Sequence, residues 1–569
     1  MSDKLDMFRR AGVPLPQNNL MWPLYGAGLE SLGKDGEMIA PPLPEYGPDE
    51  LLIRHDACGL CFSDIKVIAQ GQSHPRIFRD MKTDPVVLGH EVTMTVVGVG
   101  ENLKGKYTVG QRLTLEPETH VKGKVLAYGY WYQGGLSQYS VIGPSIYATD
   151  TGNNLIPVGD DKGYAEIALA EPWACVVAAY TLKYRTGLKN GGTAWVIGAG
   201  GNKPYTISRG FDAVSHPIRI FLTDVPESFA AWVRAKAIAL EVEVVDVADL
   251  NALPVEFVDD IVVLGADPEV IEKVSPHLDQ YGVLAIIDDR PLDRKVSVDV
   301  GRVHYHRWVY VGGTDPDIAK AYNDVPVRSA LRPGGRSMFV GAGGPMGRMH
   351  VQRAIEFANP PAVIVCSDVS DMRLSELCDS FAGQAREKGI EFVCVNPMNK
   401  EAYADSMAQF KGNGFDDIIV LAPVASVIAD SASWLAKKGV MNVFAGVARG
   451  TMASLDLSDA YLKQSRVIGH SASVMDDMML VLEKTYSGEL SPNRSVAAVG
   501  SLSAAKDGLK AVKEATLAGK VVIYPHIREF PLTPLEGLKD SLPSVYARLN
   551  ERGEWTKEAE DEFLRLMLP

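Results

Sequence analysis

The 569-residue chain has no apolar run long enough to span a bilayer, and no apolar segment follows its polar start, MSDKLDMFRR. The expectation is a cytoplasmic protein with no membrane partner. Cysteines are few, six in all, without the density or spacing of a disulfide scaffold or a four-cysteine zinc knot. Any metal must therefore draw on mixed ligand types. Positive charge is also in deficit: 57 Lys and Arg stand against 71 Asp and Glu, a formal net charge of −14. That balance disfavours a nucleic-acid partner, because phosphate backbones are met by clustered basic residues. A small molecule is the expected partner.

The length suffices for several folding units. Up to about residue 185 short apolar runs such as Leu51-Leu-Ile-Arg54 and Val92-Thr-Met-Thr-Val-Val97 are punctuated by Gly, Pro and Asp, a β-rich pattern. From Gly191 the rhythm becomes strand then helix, as in a parallel α/β sheet. This region repeats itself. Gly191-Gly-Thr-Ala-Trp-Val-Ile-Gly-Ala-Gly-Gly201 matches Gly334-Gly-Arg-Ser-Met-Phe-Val-Gly-Ala-Gly-Gly344, and Asp259-Asp-Ile-Val-Val-Leu264 matches Asp416-Asp-Ile-Ile-Val-Leu421. Landmarks recurring in one order indicate a duplicated domain. The expected domains are 1–185, 186–330, 331–487, 488–526 as a return to the first, and a tail over 527–569. The charged spacing at the end of that tail predicts a solvated helix.

Two segments carry metal-ligand types: Ala57-Cys-Gly-Leu-Cys-Phe-Ser-Asp64 and Leu88-Gly-His-Glu91. Zinc accepts Cys sulfur, His nitrogen and carboxylate oxygen, and a catalytic site needs only three or four of them. Cys61, His90 and Glu91 could supply these, with Glu171 as a candidate fourth. Cys58 has no second Cys-x-x-Cys pair to work with and reads as structural.

The order Gly59-Leu-Cys-Phe-Ser-Asp64, Gly89-His-Glu91, Val109-Gly-Gln-Arg112, Gly134-Gly-Leu-Ser-Gln-Tyr139, Glu171-Pro172, a Gly-rich α/β region and Gly519-Lys-Val-Val-Ile523 resembles the zinc-containing medium-chain dehydrogenases. Lys66, Gln70-Gly71, His74, Tyr128-Gly-Tyr130 and Gly343-Gly-Pro-Met-Gly347 resemble its polyol and sugar-phosphate branch, that of sorbitol dehydrogenase and sorbose-1-phosphate reductase. The resemblance covers about residues 45–526. It implies an α/β protein, a GroES-like zinc domain with two Rossmann-type domains, that moves a hydride between NAD(H) and a secondary alcohol or ketone. It further implies one catalytic zinc on Cys61, His90 and Glu91, with Glu171 as a direct or water-bridged ligand. Asp64 would orient His90, and Ser63 would bridge the substrate hydroxyl to a proton path. Where many relatives carry a His, this chain has Lys66, which leaves the outer relay open and offers a hold on an anionic substrate. No cysteine lies between Gln111 and Gly135, so no structural zinc is expected. A homodimer or homotetramer is expected.

A dinucleotide turn uses glycines for the bend, for close approach of the pyrophosphate and for packing of helix on strand. The later turn keeps Gly344 and Gly347, with Ala342 in place of the first Gly; the earlier one has Pro204 at the packing position, where its ring and missing N–H oppose a helix start. Each turn is followed by a strand ending in an acid, Asp224 or Asp368, suited to ribose hydroxyls and to NAD over NADP. The second copy is therefore expected to hold NAD through Ala342, Gly343, Gly344, Pro345, Met346, Gly347, Asp368 and Arg373. The first is expected to be degenerate, although Gly200, Gly201, Lys203 and Asp224 keep a binding role open.

His74, Arg76, Arg79 and Lys82 form a basic patch near the metal motifs that suits a phosphate or carboxylate, or is simply solvated. Beside a polyol or sugar dehydrogenase, two alternatives stand: a zinc lyase or epimerase using transient oxidation, and a non-enzymatic scaffold on a duplicated fold.

Overall fold

The computed structural model describes residues 4–181, 185–323, 330–470 and 472–569. They form two units. One comprises the chain up to Val177 with Gly344–Met349 and Ser473–Pro569, and the other comprises Ala178–Gly343 with His350–Ala472.

The first unit begins as the β pattern predicts. Strand β1 (Leu51–Gly59) leads into helix α1 (Phe62–Gln70), followed by β2 (Glu91–Val99), β3 (Arg112–Leu115), β4 (Tyr139–Ile142) and β5 (Leu155–Pro157). β1 pairs antiparallel with β2, placing Gly59 directly across from Glu91. Helices α2 (Tyr164–Ala168) and α3 (Ala170–Ala178) close this segment.

The second unit holds both repeats except Gly344–Met349, and of the fourteen strands they contribute twelve form one sheet while the other two pair apart from it. The first copy contributes β6 (Thr193–Gly198), β7 (Arg219–Thr223), β8 (Glu243–Asp246), β9 (Val258–Leu264), β10 (Leu278–Ile287), β11 (Val296–Asp299) and β12 (Val309–Gly313). The second contributes β13 (Arg336–Val340), helix α4 (Pro345–Glu356), β14 (Val363–Ser367), helix α5 (Asp371–Glu387), β15 (Glu391–Val395), β16 (Phe415–Val420), β17 (Leu435–Val443), β18 (Met452–Leu455) and β19 (Arg466–Gly469). The sheet order is β8-β7-β6-β9-β10-β12-β19-β17-β16-β13-β14-β15. Read outward from the centre, each half runs through equivalent strands, so the copies are related by a pseudo-twofold. The equivalent edges meet antiparallel, with Tyr310 opposite Val467. Equivalent strands β11 and β18 also pair antiparallel, from Val296 opposite Leu455 to Asp299 opposite Met452. One buried cluster spans both copies, joining Val303, Trp308 and Tyr310 to Met441, Leu455 and Val467. The pairing closes an edge that a lone sheet would leave with unmet N–H and C=O groups.

The copies part at their turns. No helix stands between β6 and β7, whereas α4 follows β13. A Cβ on Gly201 would lie 2.2 Å from the Tyr205 hydroxyl, and Tyr205 is buried. Lys203 Nζ pairs with Asp289 at 2.8 Å and donates to the Thr314 carbonyl at 3.2 Å. Pro204 and its neighbours thus cross the strand end as irregular chain. In the second copy Cys378 of α5 and Cys394 of edge strand β15 form a disulfide.

The chain then returns to the first unit through β20 (Val496–Ser501), β21 (Lys520–Tyr524) and β22 (Thr533–Pro534). The eight-stranded sheet runs β22-β20-β21-β1-β2-β3-β5, with β4 also on β1. The tail corrects the expectation of a solvated helix. Helix α6 (Lys557–Met567), capped by the Thr556 side chain, buries Ala559, Phe563 and Leu564 in a cluster with Trp555, Leu5 and Phe8. Even its Glu560 is buried, accepting hydrogen bonds from Ala165 N at 2.7 Å, Tyr164 N and the Tyr524 hydroxyl at 2.8 Å. Glu562 is buried as well, so the docked side of this helix carries two acids beside its apolar residues.

Glu560→Ala strands those donors and should cost about 2 kcal/mol of stability by chemical denaturation. Ser297 faces Ser454 across β11 and β18, within reach of a bridge after modest adjustment. Cysteines at both positions should cross-link within one chain, running as a monomer on a non-reducing gel; a covalent dimer would mean that the pairing joins different chains.

Candidate functional site

Strand β1 ends at Gly59, and two residues later Cys61 caps α1. Its side chain meets the Asp64 backbone while the Asp64 carboxylate accepts from Cys61 N at 3.0 Å, so each fixes the other. This capping box puts a sulfur at a helix N-terminus. The other Asp64 oxygen lies 3.3 Å from His90 Nδ1, and Ser63 Oγ lies 3.2 Å from His90 Nε2. Asp64 thereby stands at Nδ1 and Ser63 at Nε2, and a carboxylate beside one ring nitrogen is the arrangement that sets a ligand's tautomer.

Ligand atoms of Cys61, His90 and Glu91 lie within 4.8 Å of one another, and they are the one such group of His, Cys and acidic residues among the described residues. The donors suit zinc: a sulfur, an imidazole nitrogen and a carboxylate oxygen. An orphaned atom supports the fit. Glu91 is fully buried, with Oε1 2.5 Å from Lys520 Nζ, while Oε2 has no partner among the described residues. Cross-strand Gly59 leaves room for that oxygen, because a Cβ there would lie 2.1 Å from it.

Glu171 on α3 is buried but stands outside the three-residue group. Burial raises its pKa to about 7, with His90 pulling it down and Glu91 pushing it up. It is thus close enough to feel the centre electrostatically, and Cys175 Sγ lies 3.9 Å from its Oε1. Burial acts to lower the pKa of His90, but the charges of Tyr130 and Asp64 with hydrogen bonds to Asp64 and Cys61 outweigh it, leaving the value well above the ordinary one. Lys520 behaves alike: burial opposes its charge, and Glu91 and Cys61 more than restore it. Cys58 is buried beneath Gly89, whose Cβ would come 2.6 Å from its sulfur.

The basic patch does not form one cluster. Arg76 pairs with Glu118, Arg79 pairs with Asp84 and lies over the Trp131 ring, and Lys82 is exposed. His74 is different: its ring meets the Tyr130 edge at 5.7 Å, and Tyr130 meets His90 at 5.7 Å.

At the second-copy turn, Gly341 N and Ala342 N donate to the Ser367 carbonyl at 2.8 and 3.0 Å, and Gly343 N donates to Asp368 at 3.0 Å. A Cβ on Gly343 would strike Arg373 and Asp368, and one on Gly344 would meet nothing within 4 Å. Pro345, Met346 and Gly347 form the first turn of α4. Open space before a helix start is what a pyrophosphate needs. Asp368 holds the turn itself, a task separate from any ribose contact.

Residues 47–151 match the alcohol dehydrogenase GroES-like domain model. Mannitol-1-phosphate 5-dehydrogenase of Aliivibrio fischeri is 31% identical over 310 residues, spanning 49% of this chain and 71% of that protein. The chain belongs to the zinc-containing medium-chain dehydrogenase superfamily. L-sorbose 1-phosphate reductase of Klebsiella pneumoniae is 21% identical over 91% of this chain and 92% of that protein. An alcohol dehydrogenase from Thermotoga maritima shares the fold at 13% identity and a TM-score of 0.50, covering 90% of this chain and all of that one. This medium-chain dehydrogenase is thus an NAD(P)-dependent oxidoreductase with a GroES-like domain and a sheet consistent with tandem Rossmann-type units.

Sequence reasoning passed over Lys520 and Tyr130, although both stand in quoted motifs. For Lys520 the signal was a charge inside the apolar run Lys520-Val-Val-Ile-Tyr524, since a lysine buried in a strand needs a partner. Lys520→Met leaves the Glu91 charge unpaired, and Gly59→Ala pushes the same carboxylate from the other side. Each variant should release zinc to a chromogenic chelator roughly 10- to 100-fold faster than the native protein.

Proposed function

We propose that this protein is a zinc-dependent oxidoreductase that transfers a hydride between NAD(H) and a secondary alcohol or ketone of a polyol, sugar or sugar phosphate. The observation that carries the reading is the convergence of Cys61, His90 and Glu91 on adjoining elements, their ligand atoms within 4.8 Å. Relatives named for mannitol 1-phosphate, L-sorbose 1-phosphate and D-arabitol phosphate favour the substrate class. Zinc held by Cys61, His90 and Glu91 would supply Lewis acidity at the carbinol oxygen, and NAD(P) would supply the hydride acceptor. The chain's own residues do the rest. Asp64 keeps His90 in one orientation, Lys520 steadies Glu91, and Ser63 Oγ stands beside the imidazole where a substrate hydroxyl can pass its proton. Glu171 is positioned to interact with water or the metal.

The second copy is the cofactor site in this reading. Its Gly344 opens onto free space at the start of α4, where an added Cβ would meet nothing within 4 Å. The first copy's turn lacks a helix and is filled by Tyr205, so it serves as a structural partner for the second. A homodimer or homotetramer would use a surface other than β12 and β19, which already pair within the chain.

Purified protein should contain about one zinc and bind about one NAD per chain, and it should generate NADH with sugar alcohols or their phosphates. Asp368→Ala should weaken NAD about tenfold, a loss of about 1.4 kcal/mol, while Asp224→Ala leaves affinity unchanged. The reverse pattern in calorimetry would assign the cofactor to the first copy. Turnover without net NADH would favour the lyase or epimerase alternative.

A further inference from the structure

Lys66 lies within α1, and its surroundings bear on what it does. On α1, Ser63, Lys66 and Gln70 fall at i, i+3 and i+7 and share one helix face. Ser63 on that face reaches the His90 ring at 3.2 Å. Lys66 stands one turn further out, half-buried, and no hydrogen bond or ion pair engages its ammonium among the described residues. Its basic neighbours are engaged: Arg76 with Glu118, and Arg79 with Asp84 and the Trp131 carbonyl. A lysine partly withdrawn from water without a counter-ion is an unbalanced charge in a chain that is otherwise acidic overall.

A second line of contact leads to the same place. The rings of His90, Tyr130 and His74 follow one another at 5.7 Å centroid spacings. His74 is half-buried, and burial together with the charges of Arg76 and Lys66 lowers its pKa. A neutral imidazole offers a hydrogen-bond donor, and Nδ1 is already the acceptor for Arg76 N at 3.3 Å, which leaves Nε2 to carry that proton. Two lines thus start at His90: one through Ser63 to Lys66 a turn further along α1, and one through Tyr130 to His74 with Arg76 N on its ring.

We propose that Lys66, with His74 and Arg76, forms the subsite for a terminal phosphomonoester, so that the substrate is a phosphorylated polyol or ketose whose carbinol lies at the Cys61–His90–Glu91 centre. This rests on the oxidoreductase reading above and narrows its substrate class. A phosphate dianion matches an ammonium and a guanidinium, and the imidazole N–H adds a neutral bond to a third oxygen. The Glu118 carboxylate opposite Arg76 limits how much of that guanidinium is free, which makes Lys66 the principal reader of charge.

The test uses the zinc-loaded enzyme with pairs of polyols and their terminal phosphates, mannitol and mannitol 1-phosphate among them. The native enzyme should favour the phosphorylated member in kcat/KM. Lys66→Met should reduce that preference at least tenfold, chiefly through KM, and Lys66→Arg should recover most of it. Inorganic phosphate should compete with the phosphorylated substrate and bind in calorimetry, and both effects should weaken in Lys66→Met. A proton-relay role would instead lower turnover of both members by the same factor, and that result would overturn the proposal. So would a native enzyme indifferent to the phosphate, or phosphate binding that is equal with and without Lys66. If no polyol of either kind is oxidised, the oxidoreductase reading fails, and the phosphate isotherm still decides whether Lys66 recognises the anion.

Discussion

The contact on which the site depends is the buried pair of Glu91 and Lys520, 429 positions apart in the chain. A carboxylate with no solvent exposure is tolerable only if paired, and removing one member of such a pair costs several kcal/mol. The lysine arrives on the strand that returns after both repeats have been threaded. The candidate metal triad therefore lies within residues 61–91, while the lysine that pairs with Glu91 comes from a strand near the other end of the sequence. Gly59 is the complementary constraint: directly across from Glu91, it provides the space that the unpaired oxygen needs.

The same logic of completion governs the second unit. Parallel strands must be covered on both faces and bounded at both edges. Here the inner edge of each copy is covered by the equivalent edge of the other, and β11 with β18 adds a second antiparallel pairing around the same pseudo-axis. The first copy lacks the helix after its first strand, yet Trp195 and Ile197 of β6, Phe221 of β7 and residues of β9 to β12 all still pack in the shared core. The helix after the first strand is thus not what the shared core requires.

Much of this was legible in the chain. The metal trio follows from ligand chemistry and spacing within short segments, and the repeat follows from ordered landmarks. Pro204 marked the place where the first copy departs. That Tyr205 fills the resulting space was not legible, because it depends on the approach of a side chain to Gly201 in three dimensions. The tail was misread for a related reason: its charges dominate the pattern, and only the docking of Trp555, Phe563 and Leu564 shows that the apolar minority decides its position. Lys520 needed knowledge of which strand it adjoins, since the sequence separates it from Glu91 by nearly the whole protein. Asp368 shows the converse limit. Its place after a strand was predicted, but its bonds to the backbone of the turn were not.

The central antiparallel seam has one more consequence. When two identical chains meet on a twofold axis, every substitution is made twice, so a change that helps one side is imposed on the other. Joining the two halves in a single chain breaks that obligation. Each side of the seam is inherited separately, so the two turns are free to diverge. The contrast between Gly347 and Pro204, which hold equivalent places, is one such divergence.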